Sequence, residues 1–345
     1  MILIEPIRNG KYIKDGAYAL AIQVWALHNL KVKNKTIIFP FICDPHIQLG
    51  YFQNPEVEVN KEYLDKNNIP VVRRDTGGGA IFIDSNSVNF CFLIPLNSNI
   101  NSIYANYQEF YKPIIKVLKD MGIKNIMQSG KNDLTINGKK VSGAAMLKEE
   151  NIIYGGYSLL YDIDLDAMIL ALKPSRKKIE SKGIKSINQR VDKLKNHLNE
   201  QFKKLTIFEF KDEIIKRLMN VEKIADVERY VLSNQQWLEI DKLVDQKYKN
   251  WEWVYGLSPR YQYNREARLE IGTMNISLII DNGKIKSCKI SGDFFPTKDL
   301  TIFEKGLEGT KMIKQDLKIK LQELDISSYF FKKIDNDQLL ELILS

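Results

Sequence analysis

Cysteine is scarce. Cys43, Cys91 and Cys288 are the only three in 345 residues, odd in number and without paired spacing. That pattern argues against a disulfide framework or a zinc site and favours a reducing, cytoplasmic setting. Cys91, inside the apolar run NFCFLIP, reads as a small buried hydrophobe, whereas the context of Cys43, FICDPH, does not obviously bury it. Long hydrophobic runs are also missing. None reaches the roughly 18 residues that a bilayer span requires, so no membrane partner is expected. The opening MILIEPIRNGKYIKDG lacks a basic lead, a long apolar block and a small-residue cleavage site, so secretion is unsupported. A strong charge excess is absent as well. Fifty-one Lys and Arg against 43 Asp and Glu leave +8, which permits nucleic acid, an acidic protein or an anionic small molecule and selects none of them.

What is present is a globular composition, 44% hydrophobic and 27% charged, on a chain long enough to divide into two domains. GAYALAIQVWALHNLKV has the spacing of an amphipathic helix, with Ala17, Leu20, Ala21, Val24 and Leu27 recurring on one face. Short apolar runs follow, TIIFPFI, IQLGYF, IPVVRR, GGAIFI and VNFCFLIP, whose length and β-branched or aromatic content predict strands of a mixed sheet. NYQEFYKPIIKVLKDMGI predicts a second helix, YSLLYDID a strand, and DLDAMILALK another helix. KPSRKKIESKGIKSINQRVDKLK is polar and basic, and reads either as a solvated loop or as a mobile lid presenting positive charge to an anion. Amphipathic segments near 207–220 and 235–249 precede an aromatic connector, WEWVYGLSPRYQYNRE. REARLEIG, NISLIID and KIKSCKIS then alternate as strands, the last two joined at Asn282-Gly283, and two polar-faced helical stretches close the chain. The expected division is a catalytic domain over 1–250, a connector at 251–260 and an accessory domain over 261–345.

Two stretches carry chemistry. The first is RRDTGGGAIF, where Arg73 and Arg74 stand before Gly77, Gly78 and Gly79. Consecutive glycines let main chain approach a ligand and uncover amide groups that can cradle an anion, while an arginine can clamp phosphate with two donors. The same run is equally a tight turn or bulge between strands. It has neither the Gly-Lys-Ser/Thr ending of a phosphate loop nor the helix that follows a dinucleotide fingerprint.

The second stretch is NDLTINGKKVSGAAML, a hairpin signal around Asn137-Gly138. Asn132 and Asp133 lead its first arm, and Lys139 and Lys140 follow the turn. Adjacent strand residues face opposite ways, so one lysine can point inward; periodicity does not choose between them. If Val141 packs on the side of Lys139, Lys140 shares its side with Ser142.

Together, RRDTGGGAIF and NDLTINGKKVSGAA resemble the paired signature of lipoate–protein ligases. The likeness extends to IQLGYFQNP, LKPSRKKIESKGIKSINQRV and WEWVYGLSP, and so spans most of the chain. The resemblance implies an α/β (α+β) fold, with a mixed-sheet lipoate/biotin ligase-like catalytic domain and a small α/β C-terminal accessory domain. It implies an ATP-dependent ligase that turns lipoate and Mg-ATP into lipoyl-AMP and pyrophosphate. The lipoyl group then passes to a lysine of an apo lipoyl domain or a glycine-cleavage H-type protein. By position, Arg74 would contact the nucleotide phosphates, and Gly77 and Gly78 would admit the ligand. Gly79, Ala80, Ile81 and Phe82 would line the nucleotide and acyl site. Lys140 would bridge the adenylate phosphate and the acyl carbonyl as the indispensable catalytic residue. Asn132 and Ser142 would join the substrate site, and Asp133 would contact Mg2+ or ribose.

The chain departs from the family pattern in places. Gly155, Gly156, Tyr157 and Ser158 stand where these ligases often carry His-His-Gly-Thr. Asn188 replaces a frequent arginine while Arg190 remains, and Gln23 and Val24 replace paired glutamates. These changes bear on the acyl chain, the acceptor and the use of ATP. A lipoyl or octanoyl transferase working from a preformed adenylate or an acyl-carrier thioester is the alternative, disfavoured by the accessory domain and the lack of an evident cysteine nucleophile. A basic nucleic-acid-binding protein is disfavoured because the Lys/Arg-rich loop lacks interleaved aromatics.

Overall fold

The computed structural model describes residues 1–30, 35–96, 103–172, 190–257, 263–281 and 283–344. Most of the basic stretch and the Asn282 turn position therefore lie outside the described residues. Its principal strands are β1 (Ile2–Leu3), β2 (Ile37–Phe41), β3 (His46–Leu49), β4 (Val71–Arg73), β5 (Ile81–Ile83), β6 (Val88–Pro95), β7 (Ile126–Ser129), β8 (Asp133–Ile136), β9 (Lys139–Glu149), β10 (Ile152–Leu159), β11 (Tyr263–Leu269), β12 (Gly272–Asp281) and β13 (Lys284–Gly292). The long helices used below are α1 (Gly16–Asn29), α2 (Tyr107–Asp120), α3 (Ile207–Met219) and α4 (Asn234–Leu243). Among the described residues, no helix is long and apolar enough to cross a membrane.

The chain resolves into two compact units. One holds Met1–Gln48, Val59–Val72 and Ile81–Asn250; the other holds Leu49–Glu58, Arg73–Ala80 and Trp251–Ser345. The first unit is built on a seven-stranded mixed sheet in the order β1-β2-β6-β10-β9-β8-β7, in which only β1 and β2 run parallel among the described pairs. β6 occupies an interior position, and all eight of its residues are buried. A continuous apolar run is what a strand covered on both faces requires. On one face, Phe90, Phe92, Tyr157, Leu159, Leu134 and Ala144 pack with Tyr111, Ile114 and Leu118 of α2 and with Phe210 and Ile214 of α3. Both helices begin on side-chain caps: Asn106 accepts from the Glu109 amide, and Thr206 forms a reciprocal capping box with Glu209.

α1 belongs to the opposite face, where Tyr154 of β10 donates to Gln23 Oε1 at 3.1 Å. The amphipathic expectation for this helix fails. Its residues from Ala19 to Leu27 are buried without a polar side. Remote chain supplies the outer cover: Trp25 donates to Glu239, Tyr18 to Asp241, and Lys249 pairs with Asp15. A helix apolar on every side belongs inside a larger body. α4 itself starts on a Ser233–Gln236 capping box, and the predicted helix over 235–249 ends as a wider π-type turn over Val244–Tyr248.

In the second unit, β11-β12-β13 form an antiparallel meander. Met274, Ile276, Leu278 and Ile290 of that sheet form a core with Phe303, Leu317, Leu321 and Leu339. These last residues come from three closing helices, Leu300–Leu307, Lys314–Leu324 and Asn336–Leu344, where sequence spacing suggested two.

Candidate active site

After β4 ends at Arg73, the chain turns through Asp75, Thr76 and three glycines before β5 begins at Ile81. Gly78 sits at φ +95°, a conformation that glycine adopts and larger residues avoid. Both arginines are buried, but they are used differently. Arg73 is fully enclosed. Its Nε donates to the carbonyls of Trp253 and Val254, its Nη1 to those of Gly50, Tyr51 and Gln53, and its Nη2 to Val254 again, at 2.6–3.2 Å. Burial lowers its pKa to about 10, so the guanidinium stays charged at neutral pH and is balanced by carbonyl dipoles.

Arg74 wraps its own loop. Nε donates to Thr76 Oγ1 at 3.1 Å, and Nη2 donates to the carbonyls of Gly77 at 2.8 Å and Gly79 at 2.9 Å. Of the alternatives open at the sequence level, the loop is thus at least a tight, arginine-organised turn. Ala80 is half-buried. Ile81 and Phe82 follow in β5, opposite Gln48 and Ile47 of β3.

The hairpin of β8 and β9 turns at Asn137-Gly138, both residues with positive φ. Its register contains a bulge. Leu134 pairs with Ser142 and Thr135 with Lys140, so Val141 is an extra residue on β9. The bulge overturns simple alternation. Val141 and Ser142 are both buried, and Lys140 shares its face with Gly143, Asp133 and Thr135 instead of with Ser142. Lys140 Nζ lies 2.7 Å from Asp133 Oδ1, with both side chains about one-third exposed. It hangs over Gly143, where a Cβ would stand 2.9 Å from Nζ. A side chain at this position would have to push the flexible lysine end aside.

The backbone of Lys140 is fixed by a segment far along the chain. Its amide donates to the Arg190 carbonyl at 2.6 Å, and its carbonyl accepts from Asp192 at 2.9 Å. Asn132 steadies the other side of the bulge: its amide side chain donates to the Ala144 carbonyl, and its own carbonyl accepts from the Ala144 amide. Ser142 Oγ lies 3.4 Å from the buried Tyr111 hydroxyl, on the core side. Ser142 therefore supports the hairpin from beneath and does not share the face of Lys140.

That face continues across the sheet in registered rows. Asp133, Gly143, Ser158 and Asn89 lie directly opposite one another in β8, β9, β10 and β6. The next row is Ala145, Gly156 and Cys91, and the one beyond is Leu147, Tyr154 and Leu93. A lane floored by small side chains thus runs from Lys140 toward the Tyr154–Gln23 contact. Asn89 and Ser158 were not singled out as site residues from sequence. The available signal was a lone amide in the otherwise apolar VNFCFLIP. Asn188 lies outside the described residues.

The cysteines are closed to thiol chemistry. Cys43, which the sequence left unburied, is fully enclosed, and Cys91 and Cys288 are buried as well. Burial pushes all three thiols up in pKa. Among the described residues, no cluster of three or more His, Cys, Asp or Glu side chains could hold a metal by itself.

Known proteins share much of this sequence and fold. Residues 15–219 match the family described as the Lipoyl protein ligase A/B catalytic domain, and residues 258–343 match Bacterial lipoate protein ligase C-terminus. Lipoate--protein ligase 2 of Staphylococcus aureus strain Mu50 is 49% identical over the full length of both chains. In fold, the structure of P. falciparum LipL1 in complex with lipoate superposes with a TM-score of 0.72 at 22% identity, covering 100% of this chain and 99% of that one. A lipoate-protein ligase A bound with ATP matches at TM-score 0.59 and 22% identity, covering 74% of this chain and 98% of that one. With both halves of the sequence matched, and with the glycine loop and the lysine hairpin each in place, the chain belongs to the lipoate–protein ligase family and is an enzyme of that family.

Proposed function

We propose that the protein activates lipoate with Mg-ATP and passes the lipoyl group to a lysine of an acceptor protein, with Lys140 as the group that addresses the reacting atoms. One observation carries the assignment: a partly exposed ammonium held by Asp133 above a residue without a side chain, at the head of a small-residue lane. An ammonium there can neutralise the charge that builds on phosphoryl and acyl oxygens as the lipoate carboxylate attacks the α-phosphate. Its ion pair with Asp133 is exposed enough to be worth little and can yield to a phosphate. The aliphatic chain would lie over Gly143, Ala145, Gly156 and Cys91, with the dithiolane toward Tyr154.

Arg74 would meet the nucleotide phosphates. Phosphate oxygens form charge-assisted hydrogen bonds stronger than those it now makes to the Gly77 and Gly79 carbonyls. Gly77 and Gly78 would let the loop approach the ligand, and Gly79, Ala80, Ile81 and Phe82 would line the nucleotide side. Asn132 and Ser142 act by fixing the bulge that aims Lys140.

The residues present fit a magnesium ion that arrives with its nucleotide. Such an ion is commonly held by one or two carboxylates, substrate phosphates and water, and Asp133 is the carboxylate at hand. When bound, it would supply charge neutralisation on the phosphates. The acceptor is a lysine of an apo lipoyl domain or a glycine-cleavage H-type protein, and a reducing, cytoplasmic setting fits the three free cysteines.

The buried thiols support this reading over a thiolate-dependent transferase. The decisive assay gives purified protein lipoate, Mg-ATP and apo lipoyl domain or apo H-type protein, and follows the acceptor by mass. Lipoyl-lysine with release of AMP and pyrophosphate is expected. Transfer from synthetic lipoyl-AMP alone, with none from lipoate and ATP, would refute the activation step.

A further inference from the structure

Asn89 is an anomaly in its strand. It is the one amide in the run from Val88 to Pro95, it is 4% exposed, and its Nδ2 finds no hydrogen-bond partner among the described residues. A buried donor without an acceptor costs free energy, and a chain keeps one most readily where an acceptor arrives from outside. The register says where that acceptor would be. Asn89 is opposite Ser158, which is opposite Gly143, over which Lys140 Nζ lies; directly opposed residues project to the same side of a sheet.

Two strand spacings, about 10 Å, separate Gly143 from Asn89. Lys140 Nζ lies over Gly143 at one end of that span, and Asn89 stands at the other. Two hydrogen bonds of about 2.9 Å plus the width of an acyl-phosphate group fill a gap of that order. The row therefore presents a cation at one end and a neutral amide donor at the other, with the Ser158 hydroxyl between them.

We propose that Asn89 is a catalytic residue that donates to the acyl carbonyl oxygen of the bound adenylate while Lys140 holds its phosphate, a role that rests on the lipoate-activating reading above. In the transfer step, the acceptor lysine's free amine forms a bond to the acyl carbon, and the carbonyl electron pair moves onto oxygen. The C–O bond to phosphate then breaks, AMP leaves with that electron pair, and the amine proton passes to solvent. Charge on the carbonyl oxygen peaks midway, so a fixed donor there accelerates transfer. Adenylate formation develops its charge at phosphorus instead, so it depends on Asn89 less. A uniform substrate-positioning role would slow both steps alike.

The test uses the full chain and two variants, Asn89→Leu, which keeps the volume, and Asn89→Ala. Single-turnover transfer from synthetic lipoyl-AMP to apo lipoyl domain is compared with lipoate-dependent pyrophosphate exchange, in variants that melt cooperatively. Transfer is expected to fall about 100-fold while exchange falls less than about fivefold. Transfer within about threefold of the parent, or equal losses in both assays, overturns the assignment. Should the parent protein itself fail to exchange pyrophosphate with lipoate, the activation reading falls; the assignment of Asn89 would then stand or fall on the transfer assay alone, which starts from preformed adenylate. If neither variant melts cooperatively, Asn89 is a folding residue and the proposal is wrong.

Discussion

Two stretches of this chain combine glycines with cations, and they use them in opposite ways. In the loop 73–80, the cations face inward: Arg73 and Arg74 are buried, and their donors go to backbone carbonyls. In the hairpin 133–143, the cation faces outward: Lys140 is about one-third exposed, held by a carboxylate, and poised over a bare glycine. A guanidinium's fixed fork suits several carbonyls at once, whereas an ammonium on a flexible stem can change partners cheaply. The loop is thus organised by its charges, and the hairpin organises its charge. This difference predicts that substitutions in the hairpin should remove activity and leave stability, while those at Arg73 should do the reverse.

The largest effect is expected at Lys140. Lys140→Ala should lower lipoate-dependent pyrophosphate exchange about 1,000-fold, the scale of losing a charged donor at the reacting oxygens. Its urea midpoint should stay near the parent's, because a partly exposed ion pair contributes little. Near-parental exchange would remove the lysine from the mechanism and erase the contrast.

Arg73→Met should show the converse. It leaves the carbonyls of Gly50, Tyr51, Gln53, Trp253 and Val254 without their shared donor. A loss of about 3 kcal/mol in unfolding free energy is expected, since each buried polar group left unmade costs on the order of 1–3 kcal/mol and relaxation recovers part of it. Equilibrium denaturation checks this. A midpoint unchanged within error would show that the carbonyls find other partners and that Arg73 is not the tie the geometry describes.

The smaller contrast lies in the glycines. At Gly143 a valine would place methyl groups where the ammonium now sits, and a lysine end can swing aside without unfolding the strand. Gly143→Val should therefore cost activity by roughly 10- to 100-fold, as displacing a reacting group by about an ångström does. Its thermal midpoint should move little. A variant that unfolds, or one that keeps full kcat, would mean the close approach is incidental.

How much of this was written in the sequence follows from which interactions are local. The NG turn depends on near neighbours and is legible, and the apolar run VNFCFLIP is legible as a strand. The pairing of GGG with Lys-Val-Ser-Gly identified the family from residue identities alone. The bulge at Val141 was not legible, because an extra residue shows only against the partner strand; it reversed the companion of Lys140 from Ser142 to Gly143. Burial of α1 on all sides was hidden for a similar reason, since its cover comes from α4, more than 200 residues away in the chain. The split of labour between Arg73 and Arg74 also depends on distant carbonyls, those of Trp253 and Val254.

His46 supplies the last and smallest test, a buried group that bears on stability alone. It is fully enclosed, with Nδ1 donating to the Asp44 carbonyl at 2.8 Å, so Nε2 carries no proton in this state. Burial lowers its pKa below the ordinary value near 6.5, more than Asp15 and Asp44 raise it. Below pH 6.5 the unfolded chain then takes up a proton that the folded chain refuses, so the unfolded state gains as pH falls. Stability should decline from about pH 6.5 downward until the folded-state pKa is reached, by at most about 1.4 kcal/mol per pH unit. Asp84, whose burial raises its carboxyl pKa, acts with the opposite sign and at lower pH, nearer the carboxylate range. Comparing denaturation midpoints at pH 7.5 and 5.5 for the parent and His46→Asn isolates the histidine. The parent should lose more stability than the variant over that interval. Parallel losses would assign the pH dependence to other groups and leave His46 as packing alone.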